Sequence, residues 1–307
     1  MEQSQKKLLI ITGPTATGKT RIGIELAKRL NAEIISADSR QVYKLLDIGT
    51  AKPSRDEREE AVHHLIDIVF PDQTYSAGVF ARDARAKIEQ LLNRGKLPII
   101  VGGTGLYLKA LTKGLFQGPA ADPELRKRLN QEAEQYGSHN LYKKLQELDP
   151  VTAGRISAQD RIRIIRALEI YELTGQPISF WHTKDQHSSE YRFMTFGITM
   201  NRDTLYQRIN ARVDRMMQAG FLDEVQNLRN LGYSFQLPAL RTFGYMDILH
   251  HLQGEVELKV AVEKFKQKTR NFAKRQLTWF RHQRELKWVD ADETEPVEVI
   301  QRAFESA

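Results

Sequence analysis

The chain has 307 residues, 41% hydrophobic and 28% charged, with a formal net charge of +7. This suits an ordinary globular protein of one domain plus an insertion, and it admits a polyanionic partner without proving one. There is no cysteine, which excludes disulfides, thiolate catalysis and cysteine-held zinc, and no apolar run reaches membrane-spanning length.

Met1 to Lys7 lead directly into the first strand, so neither a signal peptide nor membrane contact is expected and the protein reads as cytoplasmic. Leu8-Leu9-Ile10-Ile11 predicts a buried strand, and Arg21 to Leu30 carries apolar residues at helical spacing. Between them stands Gly13-Pro14-Thr15-Ala16-Thr17-Gly18-Lys19-Thr20, a P-loop pattern in the strand–turn–helix context that a P-loop needs. Its glycines let the backbone fold tightly, so successive N–H groups face inward and join the positive end of the helix. Lys19 adds a mobile cation, and Thr20 offers a hydroxyl to Mg2+. Such a nest holds two linked phosphates. The loop alone leaves open which polyphosphate that is, ATP included.

Glu33 to Ala37 is a largely apolar run ending in Asp38, followed by Ser39-Arg40-Gln41-Val42-Tyr43 and the loop Gly49 to Pro53. His64 to Val69 predicts a short strand, and Phe80 to Leu92 a helix that ends at Gly95. Leu97 to Val101 predicts a buried strand, capped by Gly102-Gly103-Thr104-Gly105 and followed by a helix from Leu106 to Leu111. This alternation predicts an α/β fold, a P-loop NTPase-like parallel sheet flanked by helices. Ligands gather beyond the carboxyl ends of such strands, which puts Thr15, Lys19, Asp38 and Thr104 on one rim.

From Asp122 to Thr174 the pattern is mainly helical, with breaks at Gly137-Ser138 and Asp149-Pro150. Gln176-Pro177 and the polar run Thr183 to Glu190 close this segment, and strand character returns from Phe193 to Thr199. A lone returning strand needs the earlier sheet as its partner. The expected organisation is therefore an α/β core begun in 1–117, an all-helical insertion in 118–190, and a core completion with a basic helical C-terminal region in 191–307. In the last part Arg208, Arg212 and Arg215 share one helical face beside Leu205, Ile209 and Met216. Leu258, Val262, Phe265, Phe272 and Trp279 form a stripe read as core, on a helix otherwise covered by Lys259, Lys264, Lys266, Lys268, Arg270, Lys274, Arg275 and Arg281. Glu285 to Val289 predicts a last strand and Val297 to Phe304 a last helix.

Asp38 is the main chemical candidate after the P-loop. A carboxylate at the end of an apolar strand suits support of Mg2+ and phosphate chemistry, a general base across the rim, or a plain helix cap. Arg212 suits a pyrophosphate clamp, since guanidinium groups bind phosphate oxygens in pairs and keep their charge. Thr104 sits at a turn where backbone approaches closely and offers a hydroxyl to a substrate. The basic helix from Lys259 to Arg281 suits sequence-independent contacts to a polyanion. The eight histidines show no metal-ligand spacing.

Together these motifs resemble the tRNA dimethylallyltransferase, or tRNA isopentenyltransferase, family over nearly the whole chain. The anchors are the P-loop octet, Ser36 to Tyr43, Asp47-Ile48-Gly49-Thr50-Ala51-Lys52-Pro53 and Val101 to Tyr107. Arg166-Ala167-Leu168-Glu169, Arg241-Thr242-Phe243-Gly244-Tyr245 and Lys274 to Phe280 complete the ordered set. Eukaryotic members carry a C-terminal zinc finger; this chain, without cysteine, resembles the bacterial form. The resemblance implies transfer of a dimethylallyl group from dimethylallyl diphosphate to the exocyclic amine of the adenosine 3′-adjacent to the anticodon. It implies a diphosphate on Gly13 to Thr20, with Mg2+ on Thr20. It assigns Asp38 to proton removal from the amine, and Thr15, Lys19 and Arg212 to the departing pyrophosphate. It implies contacts to the tRNA anticodon stem-loop from Asp38, Ser39, Arg40, Gln41, Thr104, Arg126, Ile162, Arg163, Ile164, Ile165, Arg166, Arg241, Thr242, Phe243, Gly244, Tyr245 and Met246. A monomer is expected. The competing readings are a P-loop kinase with a helical lid, a prenyltransferase of free adenine nucleotides, and an RNA-binding module with a relic P-loop.

Overall fold

The structure, a computed structural model, describes residues 6–116, 118–184 and 190–307. The expectations that concern residues 1–5, Gln117 and 185–189 therefore lie outside the described residues. The chain divides into two compact units, Met1–Thr112 with Ser189–Ala307, and Lys113–Ser188.

In the first unit β1 (Lys6–Thr12) leads through the P-loop into α1 (Lys19–Arg29), then β2 (Ala32–Ser36), α2 (Arg55–Glu60), β3 (His63–His64), α3 (Ala77–Asn93), β4 (Leu97–Val101) and α4 (Gly105–Lys113). The second unit holds α5 (Pro123–Tyr136), α6 (Ser138–Leu148), α7 (Pro150–Ala153), α8 (Arg161–Thr174) and α9 (Ile178–Lys184). The chain then returns to the first unit with β5 (Tyr191–Thr199), α10 (Arg202–Gln218), α11 (Phe221–Asn230), α12 (Tyr245–Leu252), α13 (Leu258–Arg281), β6 (Leu286–Asp290) and α14 (Pro296–Glu305).

Among the described residues six strands form one sheet in the order β3-β2-β4-β1-β5-β6, every pair parallel. Leu8, Leu9, Ile10 and Ile11 are all fully buried because helices cover both faces of a parallel sheet, which explains an unbroken apolar run where an open sheet would alternate. Strand β5 lies along β1 from Lys6–Tyr191 to Thr12–Gly197, so the returning strand finds its partner in the earlier sheet. Ile24, Leu26 and Ala27 of α1 pack with Ile34, Ile99, Phe196 and Ile300 in one apolar cluster.

Two glycines let backbone segments meet at the carboxyl rim. A Cβ on Gly13 would stand 2.4 Å from the Ile198 carbonyl oxygen, and one on Gly102 would stand 2.2 Å from that of Ala37. Any side chain there would force the strand ends apart.

The expected strand from His64 to Val69 is reduced to His63–His64. Leu65 and Asp67 take φ values of 60° and 56°, which turn the chain out of the sheet, and Val69 keeps only an isolated parallel bridge to Tyr43. Lys52 and Arg58 both bind the Asp67 carboxylate and hold that turn. In the second unit the helical run has a further break, between α7 and α8, and helix α9 follows Pro177 where the sequence suggested only a closing loop. Leu129, Leu141, Leu145, Ile164, Ile165 and Leu168 form this unit's apolar core. Glu169 is fully buried within it and accepts from Arg126 at 2.8 and 2.9 Å, Arg166 at 2.6 Å and the Asp122 amide at 2.8 Å. A buried carboxylate is tolerated only when paired and hydrogen-bonded in this way.

Candidate active site

The P-loop follows β1, and α1 starts at Lys19 with Gly18 at its head in the left-handed region. The Thr17 hydroxyl donates to the Pro14 carbonyl at 3.0 Å, and the Lys19 ammonium donates to the same oxygen at 2.6 Å. Arg212 reaches in from α10, whose buried face is Leu205, Ile209 and Val213, and donates to the Thr15 hydroxyl at 3.1 Å. Burial, reinforced by the Arg212 guanidinium and opposed by the Asp38 carboxylate, lowers the Lys19 ammonium to a pKa of about 7. Burial also pulls Arg212 below its usual value, with Arg215 and Arg208 adding repulsion. Cations crowded out of water in this way favour a ligand with more than one negative charge.

Asp38 lies two residues beyond β2 and faces this cluster. Its Oδ1 accepts from the amides of Arg40 at 2.8 Å and Gln41 at 3.4 Å, which holds the carboxylate in one orientation and leaves Oδ2 without a hydrogen bond among the described residues. The Thr104 hydroxyl accepts from the Ser39 amide at 3.0 Å and donates to the Ser39 hydroxyl at 3.3 Å. Arg40 donates to the Pro238 carbonyl at 2.6 Å. Gln41 accepts from the Ser36 hydroxyl at 3.1 Å and donates to the Ala51 carbonyl at 3.1 Å.

These groups line a cavity of about 360 Å³. Thr15, Ala16, Gly18, Lys19, Thr20 and Arg212 form one part of its wall, and Asp38 to Gln41, Thr104 and Thr242 another. Phe243, Phe265 and Phe272 add an aromatic part. The rings of Phe243 and Phe272 are 5.2 Å apart, and Phe265 lies 6.4 Å from Phe243. This corrects the reading of the α13 aromatics as plain core. Phe265 is buried, but Phe272 and Trp279 are half-buried and Leu258 is exposed. The helix turns Phe265, Thr269, Phe272 and Gln276 towards the cavity, while Phe280 is the buried aromatic at its end.

The other candidates are divided between the two units. Arg241 is exposed, Met246 is half-buried, and Gly244 sits at φ 82° between Phe243 and Tyr245. Tyr245 lines the cavity, is almost fully buried and donates its hydroxyl to Glu224 at 2.7 Å. Arg126 and residues 162–166 belong to the helical unit and take no part in the cavity wall. Ile162 is 83% exposed and Arg163 is exposed, but Ile164 and Ile165 are core residues, whose side chains are not at the surface. The guanidinium groups of Arg126 and Arg166 are engaged by Glu169.

Mg2+ takes few protein ligands and fills its octahedron with phosphate oxygens and water. Thr20 and Asp38 supply hard oxygens to one cavity, and among the described residues no group of three or more His, Cys, Asp or Glu could hold a metal unaided. That donor set fits an ion brought in with a phosphate ligand.

Two residues of this site escape a reading of the sequence. Gln276 accepts from the Thr15 amide and donates to the Gly103 carbonyl, both at 2.9 Å. Its polar side chain inside the apolar stripe of α13 is the one local signal of this. Glu224 accepts from the amides of Asp47 at 2.9 Å, Ile48 at 2.6 Å and Gly49 at 3.1 Å, and so fixes the loop that holds Gln41. Nothing local in the sequence marks it. On α13, Lys266 pairs with Asp214 at 2.7 Å and Lys268 with Asp247 at 2.5 Å, whereas Lys259, Lys264, Lys274, Arg275 and Arg281 are exposed.

A strand–turn–helix loop carrying a lysine, with an arginine against it, on the carboxyl rim of a parallel sheet and across a cavity from an oriented carboxylate, marks this chain as a P-loop protein. The chain belongs to the IPP transferase family, whose model matches residues 41–283. It is 48% identical to the tRNA dimethylallyltransferase of Carboxydothermus hydrogenoformans over 288 residues, 93% of this chain and 92% of that protein. The tRNA dimethylallyltransferase of Pelotomaculum thermopropionicum is 45% identical over 300 residues, 97% of this chain and 95% of that one. The crystal structure of the tRNA isopentenylpyrophosphate transferase from Bacillus halodurans superposes with a TM-score of 0.72 at 39% identity, covering 99% of this chain and 95% of the other. A eukaryotic dimethylallyltransferase acting on tRNA gives a TM-score of 0.81 at 28% identity, covering 98% and 80%. The expected fold class, a parallel sheet flanked by helices, is the one observed.

Proposed function

We propose that this protein transfers the dimethylallyl group of dimethylallyl diphosphate to the exocyclic amine of the adenosine 3′-adjacent to the anticodon of tRNA, releasing diphosphate. Support comes from membership of the family and from one feature above all: Lys19 and the Thr15–Arg212 pair border the same cavity as Asp38. The diphosphate is held by Lys19 and by P-loop amides other than those of Pro14, which has no N–H, and Thr15, whose N–H is taken by Gln276, so the P-loop binds a leaving group and no phosphoryl group is transferred. Thr20 would hold Mg2+, which neutralises diphosphate charge when bound. The amine nitrogen forms a bond to the allylic C1 as the bond from C1 to the diphosphate oxygen breaks. The Thr15 hydroxyl and Arg212 take up the charge that develops on that oxygen, and Asp38 takes the amine proton on Oδ2. An adenine amine is a weak nucleophile, so alignment and stabilisation of the leaving charge supply most of the acceleration.

The base must leave the anticodon-loop stack to reach such a cavity. Asp38 to Gln41, Thr104 and Arg241 to Met246 belong to the acceptor side of the site. Arg126, Ile162, Arg163 and Arg166 of the helical unit, and the exposed cations of α13, contact the RNA. Mass analysis of tRNA nucleosides after incubation with the protein, Mg2+ and dimethylallyl diphosphate tests this. The expected result is one dimethylallyl-adenosine per substrate tRNA, with kcat reduced about 100-fold or more in Asp38→Asn. Phosphate transfer from ATP without prenylation would overturn it.

A further inference from the structure

Among the described residues Gln276 makes no hydrogen bond to Lys19, Arg212 or Asp38, yet it joins the two sides of the cavity. Its side chain is 8% exposed, and its carboxamide orientation follows from its partners: the oxygen faces the Thr15 N–H and the NH2 faces the Gly103 carbonyl, each at 2.9 Å. The Gly103 backbone lies directly against it, since a Cβ there would stand 2.5 Å from Nε2. One side of this link leads to Thr15, whose hydroxyl meets Arg212 at 3.1 Å. The other leads through Gly103 to Thr104, whose hydroxyl holds the Ser39 amide at 3.0 Å, next to Asp38. The link is carried on a 24-residue helix, α13, tied to α12 by Lys268–Asp247 and to α10 by Arg270–Asn210.

We propose that Gln276 is a positioning residue that sets the spacing between the diphosphate nest and the turn beside Asp38, so that leaving group and base act on one aligned pair of substrates. This rests on the transfer reaction proposed above. Each half of the site keeps its own ligand contacts without Gln276; only their mutual alignment suffers, and there small displacements cost large factors in rate.

Gln276→Met keeps the length of the side chain and removes both hydrogen bonds. It is expected to lower kcat about 10- to 100-fold, while the Kd values of inorganic pyrophosphate and of an anticodon stem-loop RNA each stay within about threefold of wild type. Gln276→Glu gives a second readout on a different variant. Between an N–H donor and a carbonyl acceptor only the protonated carboxyl satisfies both partners, so its kcat relative to wild type should rise as pH falls from about 8 to about 5.5. A merely structural glutamine would give no such pH-dependent ratio, and this ratio decides the matter if the methionine variant does not fold. A wild-type kcat in Gln276→Met, a pyrophosphate affinity that falls in proportion to kcat, or a flat ratio for Gln276→Glu overturns the inference alone. Absence of prenyl transfer by the wild-type protein overturns the proposed reaction and this inference with it.

Discussion

Lys19 is a cation poised to change its charge near neutrality. Burial first, and the Arg212 guanidinium second, bring its pKa to about 7 against an ordinary value of 10.5. A bound diphosphate supplies the missing counter-charge and raises that pKa again. Between pH 7 and 10 the free protein therefore holds less than one proton on Lys19, and binding takes one up. Pyrophosphate affinity should fall as pH rises through this window, approaching tenfold per unit, and calorimetry in two buffers of different ionisation enthalpy should show proton uptake at pH about 8.5. In the ligand-free protein the sign for folding is opposite. The unfolded lysine binds more protons in this window, so the burial penalty is relieved and stability rises with pH. The P-loop residues and Asp38 were legible in the sequence because each is announced by its immediate neighbours. Gln276 and Glu224 were not, because their partners Thr15 and Asp47 lie 261 and 177 residues away; the polar break that Gln276 makes in the α13 stripe marks the residue but not its partner, and nothing local marks Glu224.

Helix α13 shows how far periodicity carries at the scale of an element. Its length and basic character are plain in the sequence, but a stripe of aromatic residues looks the same whether it faces a packed core or the wall of a cavity. Phe272 and Phe265 face the cavity, and only the tertiary arrangement of α10, α12 and α13 decides that. The short β3 was over-read for a related reason. His64 to Val69 has strand composition, but Lys52 and Arg58 bind Asp67 from outside the segment and favour a turn. The exposed cations of α13 carry a prediction of their own. Reversing Lys274 and Arg275 to glutamate should weaken anticodon stem-loop binding. The slope of log affinity against log salt should become shallower by about 0.7–0.9 for each phosphate no longer neutralised, as read by a salt titration of RNA binding. Pyrophosphate affinity should not change, since neither side chain lines the cavity.

At the scale of the molecule, the alternation of strands and helices announced the parallel sheet, and the lone late strand announced that the chain would come back to it. No described helix is long and apolar enough to cross a membrane. The helical unit depends on a polar centre that its helical periodicity hides, since Glu169 falls among Ile164, Ile165 and Leu168 and is held by two arginines and an amide. Glu169→Ala should destabilise this unit by about 2–3 kcal/mol, because it strands buried donors, and denaturant unfolding followed by Trp181 fluorescence should report it. Pyrophosphate binding should survive at denaturant concentrations that keep the first unit folded.

The pairing of β5 with β1 also orders events during synthesis. Until residue 199 has left the ribosome, β1 has a neighbour on one side only and shows a bare, sticky edge to other nascent chains. Gly13 rests against Ile198, so the anion cradle matures only when that late strand docks. A polypeptide cut short before Tyr191 would thus contain every residue of the P-loop and still lack both the neighbour that covers β1 and the backbone against which Gly13 rests.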